Sequence, residues 1–180
     1  MTKTITKKDI AAKLEELQAL PGQNETGQYE VGSTEQQEAA RKVEMLLTCT
    51  GAGRDVELTA TVLLAMQDIQ VRDYAMGLVN PDNFNHYQRT FKWLTKVAPN
   101  SCKNAPTAIL ALSYHELGDN ELALKTLDPI QNKGYSLATL LSRVFQSGWP
   151  VGTFAGMRAE LHPKVTKVIF GKGEAHDNKE

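Results

Sequence analysis

Any chemistry in this chain has to start from a few histidines, two cysteines and a small set of neighbouring charges. The stretch "YHELGDNELALKTL" (114–127) holds the first candidate. His115 and Glu116 are spaced like half of a metal-site helix, with Asp119 four residues beyond His115 as a second ligand. A zinc site takes three or four protein ligands, and the helical protease motif needs two histidines at i and i+4. Position 119 is Asp, Gly118 would break the helix before it, and His86, His162 and His176 do not cluster in sequence. The expectation is therefore no metal and no cofactor, with His115 at the surface or hydrogen-bonded.

Arg72 and Asp73 form a second candidate. Adjacent residues on a helix point in different directions, so these two need not pair, and each is expected to cap or bridge a neighbouring helix. The functional alternative is a ligand-binding arginine at the mouth of a helical hairpin. A third candidate, "FNHYQRTFKWLTK" (84–96), interleaves aromatic rings with Arg89, Lys92 and Lys96, a pattern that can stack on nucleotides. Phe84, Tyr87, Phe91 and Leu94 follow one helical face and belong to a core, which leaves Trp93 and His86 off the stripe. The candidate binding residues are thus Arg72, Asp73, His86, Trp93 and His115.

Support for covalent or phosphate chemistry is thin. Cys49 and Cys102 have no histidine beside them in sequence. "GAGRD" (51–55) lacks the Lys-Ser/Thr of a phosphate-binding loop, and no strand precedes it. Without a convergent acid–base set the chain is not expected to be an enzyme. The net charge is −1 and the charges are mixed, with 7 basic and 9 acidic side chains in the first 55 residues. Nucleic-acid binders carry a basic stripe, because phosphate contacts supply most of their affinity; none is visible. The longest apolar stretch, "TATVLLAM" (59–66), is far shorter than the ~20 residues of a membrane span, and the N-terminus has no signal-peptide core. These features lead to the expectation of a cytoplasmic protein with no membrane partner.

The elements that would hold these residues are all helical. Thr6 and Asp9 make a capping box ahead of Ile10, Leu14 and Leu17, and Pro21-Gly22 ends that helix. "PGQNETGQYEVGS" (21–33) has no periodicity and predicts a flexible joint between an arm at 1–33 and a helical domain at 34–170. A second box, Thr34 to Gln37, opens the next helix, and Trp149 is expected to staple a later turn onto the core. "VELTATVLLAMQDI" (56–69) is apolar nearly all round and predicts one central buried helix. "VRDYAMGLV", "FNHYQRTFKWLTKVA" and "PTAILALSYHEL" follow. Gly118 suits a left-handed helix end, and Asp119 or Asn120 can cap the return arm "ELALKTLDPIQ". "SLATLLSRVFQS" presents Leu137, Leu140, Leu141, Val144 and Phe145 on one face, "TFAGMRAEL" and "PKVTKVIF" read as two weaker helices, and 171–180 as a disordered tail. Leu110, Ala111, Tyr114, Gly118, Asp119, Ala123 and Leu127 stand in the order of a tetratricopeptide unit. The predicted fold is all-α, a tetratricopeptide-like array of antiparallel hairpins with about seven to nine helices.

Residues 56–160 also resemble the C-terminal part of an actinobacterial family, domain-of-unknown-function family four-one-nine-two. The residues that carry the resemblance are "LLAMQDIQVRDYAM" (63–76), Trp93-Leu94, "APTAILALSYHELGDNELALKTL" (105–127) and "GYSLATLLSRVFQSGWP" (134–150). Where members of that family begin with a long apolar portion, a charged arm stands in this chain. The resemblance implies a helical fold and an actinobacterial or actinophage origin, and supplies no catalytic residues. The leading functional expectation is a non-catalytic interaction module that takes a peptide or helix of a protein partner in a groove between hairpins. The alternatives are a small helical enzyme or ligand-binding protein with a pocket near Arg72, His86 or His115, and a homo-oligomeric structural or phage-encoded protein joined through the N-terminal arm.

Overall fold

The computed structural model describes residues 4–48, 55–131 and 134–171. Expectations for Cys49, for residues 51–54 of "GAGRD" and for 172–180 of the tail lie outside these residues. The described residues form nine α-helices and one 3-10 turn, with no strand. The helices are α1 (Lys7–Leu17), α2 (Thr34–Thr48), α3 (Val56–Ala65), α4 (Ile69–Gly77), α5 (Phe84–Val97), α6 (Asn104–Glu116), α7 (Asn120–Gln131), α8 (Ser136–Gln146) and α9 (Thr153–Phe170).

Helix starts follow side-chain chemistry closely. Thr6 and Asp9 form the expected capping box of α1. At α2 the cap sits one residue earlier than the sequence suggests. Ser33 Oγ accepts from the Gln36 amide at 3.2 Å, while Gln36 turns back to accept from the Gly32 amide at 2.8 Å. The central helix ends at Ala65, four residues before the end the sequence suggests, and α4 begins at Ile69. Asp68 explains the break: its carboxylate is buried and accepts from the amides of Val71 and Tyr29, each at 2.9 Å, and from Gln36 Nε2 at 3.2 Å. A buried carboxylate needs several donors, and a helix N-terminus supplies them where a continuous helix could not.

The same break anchors the loop that precedes α2. Gln23 Nε2 donates to the Leu64 carbonyl at 3.0 Å, and Gln28 reads two backbone groups, the Gln67 carbonyl at 2.7 Å and the Ile69 amide at 3.0 Å. Polar composition here supplies fixed hydrogen bonds where the sequence suggests a joint. Nor is α1 a loose arm, since Ile10 and Leu14 enter the main core with α3 and α5.

The main core is built from α1 to α6 around Val43, Leu47, Leu63, Phe91 and Leu94. A second cluster joins α6, α7 and α8 through Ala108, Ala111, Ala123, Leu127, Leu141 and Phe145. Small residues on facing sides of α6 and α7 let these helices pack closely. Their turn forms as the sequence predicts. Gly118 has φ +84°, its amide donates to the His115 carbonyl at 2.8 Å, and the Asp119 amide reaches the Tyr114 carbonyl at 3.0 Å. This is a Schellman closure, with Gly at the position where a left-handed residue is wanted. Asp119 then caps α7 by accepting from Leu122 at 3.0 Å.

The last helix departs from the expected pattern. Pro163 does not divide it; α9 runs unbroken through residues 153–170. Instead of stacking on α8 as the next arm of an array, it turns back across α4 and touches α2. Among the described residues, no helix is long and apolar enough to cross a membrane.

Candidate functional site

His115 is buried at the end of α6, not at the surface. Its Nδ1 lies 2.8 Å from Asn120 Oδ1, and the Asn120 Nδ2 donates to the Phe145 carbonyl at 2.8 Å. Because the Asn120 oxygen is the acceptor in this chain of bonds, His115 carries its proton on Nδ1. The ring stacks on Phe145 with centroids 4.6 Å apart and 15° off parallel, and Phe154 meets its edge. The His115 Nε2 is buried without a hydrogen-bond partner. Among the described residues no group of three or more His, Cys, Asp or Glu side chains is placed to hold a metal ion. The position works as a clamp between α6, α7 and α8.

His86 and Trp93 sit on α5, both half-buried, with Trp93 packed against the main core. Phe84, Tyr87, Phe91 and Leu94 occupy the inward stripe, with Phe84 only half-buried. Cys102 is buried beside Gln67, whose Nε2 donates to Sγ at 3.3 Å; burial pushes the thiol upward despite the lowering effect of Ser101 and Gln67. A thiol held protonated is a poor nucleophile.

Arg72 and Asp73 pair with each other although neighbouring positions on a helix point in different directions. The Arg72 Nε and Nη2 reach the same Asp73 oxygen at 3.0 and 2.8 Å, because the long guanidinium arm folds back along the helix. Nη1 lies 3.4 Å from the Tyr135 hydroxyl. Burial opposes the Arg72 charge, but Asp73 and Tyr135 outweigh it and hold the guanidinium above its usual range.

These two residues stand on the rim of a cleft of about 470 Å³. One wall is α8, with Leu137, Leu140 and Leu141, and Leu112 of α6 lies beneath. The other wall is α4 with Met76 and Gly77, extended by Phe154, Met157, Leu161 and Val165 of α9. Leu140, Met157 and Leu161 remain 58%, 38% and 44% exposed. The sequence places Leu140 on the buried stripe of α8; here it has no helix to cover it. Trp149 is likewise exposed, with its ring 6.2 Å from Phe154 rather than in the core.

Polar anchors set the second wall. Arg158 donates to the Met76 carbonyl at 3.2 Å, at the end of α4, and to Glu116 at 2.6 Å, at the end of α6. A cation at two helix C-termini meets favourable dipoles at both. One turn on, His162 stacks on Tyr74 at 5.2 Å between centroids, directly over Gly77. A side chain on Gly77 would overlap His162 Nδ1, so glycine there lets α9 lie close to α4. Sequence reading missed Met157, Arg158, Leu161 and His162 as site residues. The available signal was the spacing of Phe154, Arg158, His162, Thr166 and Ile169, one stripe that crosses Pro163 without interruption.

No curated protein and no solved structure matches the chain significantly. Residues 3–151 match a family described as "Domain of unknown function (DUF4192)", a span that takes in the N-terminal arm and stops just short of α9. The chain belongs to that DUF4192 family.

Proposed function

We propose that this protein is a non-catalytic, tetratricopeptide-like interaction module that seats the apolar face of an amphipathic partner helix in the cleft between α8 and α4–α9. One observation carries the reading: Leu140, Met157 and Leu161 stand exposed together around a cleft of about 470 Å³. Contiguous apolar surface left open to water marks a binding site more often than scattered single residues do. In a hairpin array the next helix would cover the outer face of α8, and α9 does not occupy that place. A helix seated there would offer anchors at i, i+3 or i+4, and i+7.

Charge narrows the partner. The cleft is lined by Arg72, paired with Asp73, by Arg158, paired with Glu116 behind it, and by Lys164. Lys164 is held only by an exposed i,i+4 pair with Glu160, an arrangement that contributes little and exchanges readily. A partner helix with acidic residues beside its apolar stripe fits this rim.

A second reading, a small-molecule site, draws on the cleft volume, which falls in the roughly 300–1,000 Å³ range of ligand pockets. Of the candidates for such a pocket, Arg72 lines the cleft while His86 and His115 do not. Selection from a displayed library of amphipathic helices, with counter-selection against the double variant L140E/M157E, separates the readings. Enrichment of acidic-flanked helices that ignore the variant supports the module. A failure to enrich any helix, with thermal stabilisation by an apolar small molecule, supports the pocket.

A further inference from the structure

The seam between α9 and α4 holds a histidine whose surroundings suit only its neutral form. His162 Nδ1 is buried and has no hydrogen-bond partner. The ring is pressed between Tyr74 and the bare backbone of Gly77, which encloses Nδ1 although the residue as a whole is half-buried and lines the cleft. The groups that face it are mixed. From α2, Glu44 accepts from the Tyr74 hydroxyl at 3.0 Å, and Arg41 lies over Phe170 at 5.2 Å, with Phe170 against the edge of Tyr74. From α4 come Tyr74 itself and, along the cleft, the Arg72–Asp73 pair. On α9, Arg158 is one turn away and locked to Glu116. Glu44, the carboxylate that acts on His162, is thus bonded to a tyrosine, and Arg158, the cation that acts on it, is paired with Glu116.

We infer that His162 is an acid-sensitive latch: when protonated it weakens the packing of α9 on α4, and the wall of the partner cleft loosens. The consequence for binding rests on the cleft reading above, but the latch is a property of the free chain. A buried Nδ1 without a partner cannot hold a proton unless water reaches it or the Tyr74 stack gives way. Burial lowers the His162 value first, Glu44 opposes this, and Arg158 reinforces it; the net direction is downward from 6.5. For a folded value below the unfolded one, the unfolded segment binds more protons as pH falls. Stability is therefore full above about 6.5 and declines as the solution is acidified through that value. Pro163, the next residue, removes one helical hydrogen bond close to the latch and makes this turn the easiest place for α9 to open.

The test uses the full chain with no partner present. His162 is followed by NMR from about pH 8 to about pH 5, the range in which histidines titrate. Amide hydrogen exchange along α9 is measured over the same range, corrected for intrinsic rates, in wild type, H162F and H162Q. In the wild type, His162 titrates below its ordinary value and α9 exchange quickens on acidification. The acceleration approaches about tenfold for each unit by which the His162 midpoint is depressed. Both variants lose that response, and H162Q carries the comparison if the larger ring does not fit. Protection of α9 that is independent of pH in the wild type, or an acid response that survives in H162Q, overturns the latch. Neither result touches helix binding at neutral pH, which is measured separately.

Discussion

Asn120 ties His115 to Phe145: its side-chain oxygen takes the imidazole Nδ1 at 2.8 Å while its amide nitrogen donates to the Phe145 carbonyl at 2.8 Å. Three helices meet in that one residue. Removing it in N120A strands a buried imidazole donor and takes one donor from the Phe145 carbonyl, which keeps the Gly148 amide, so the expected loss is about 2 kcal/mol. Urea unfolding followed by circular dichroism reads this directly. A change under about 0.5 kcal/mol, the level of an ordinary surface substitution, would show that the clamp does not bind the helices together.

Two glycines separate backbone strain from packing. A Cβ at Gly118 meets nothing within 4 Å, so G118A costs only the left-handed conformation, about 1–2 kcal/mol. Gly77 has no such conformation to protect, yet its Cβ would collide with His162. G77A should cost about 1–3 kcal/mol and displace α9. Thermal unfolding gives both losses, and backbone chemical shifts should change across α9 in G77A alone.

The carboxylate of Asp68 holds two backbone amides and the Gln36 amide in the interior. In D68A these donors lose their acceptor together with the cap of α4, and at least about 3 kcal/mol should go. D68N should recover only part of this, since its amide nitrogen cannot accept. Equilibrium denaturation of the three proteins, compared at one temperature, checks the order.

Cys102 should be inert in the folded chain. Burial raises its thiol above the usual 9.0, so the thiolate is scarcer than on a free cysteine at every pH below that value. Its contribution to stability is present below about 9.0 and is lost as pH climbs through the raised folded value. Alkylation by iodoacetamide mapped by mass spectrometry should leave Cys102 unmodified near pH 8 until denaturant is added. Rapid labelling of the native chain would contradict the burial.

Local rules were legible and tertiary ones were not. The α6–α7 reversal could be read because Gly118 and Asp119 announce a left-handed stop and a new cap within two positions. The capping box at Thr6 is equally local. The break falls at Asp68, slightly ahead of the end the sequence suggests, since what sets it is a carboxylate whose partners, Tyr29 and Gln36, come from a different segment. The course of α9 was obscured by Pro163 and by a contact face made of Arg158 and His162, which hydrophobic periodicity does not register. The cleft escaped notice for a related reason. A pattern shows that Leu140 shares a face with Leu137 and Leu141, but not that the helix meant to cover it goes elsewhere.

The central claim is that the exposed slot along α8 receives an apolar helix face. Chemical-shift mapping of the full chain with an acidic-flanked amphipathic peptide from the library selection tests it most directly. The account predicts shifts confined to 137–141, 154–165 and the α4 edge at 70–77, and their disappearance in L140E/M157E although the variant remains folded. Shifts on the opposite face around α1 and α5, or binding that the double variant leaves intact, would contradict it.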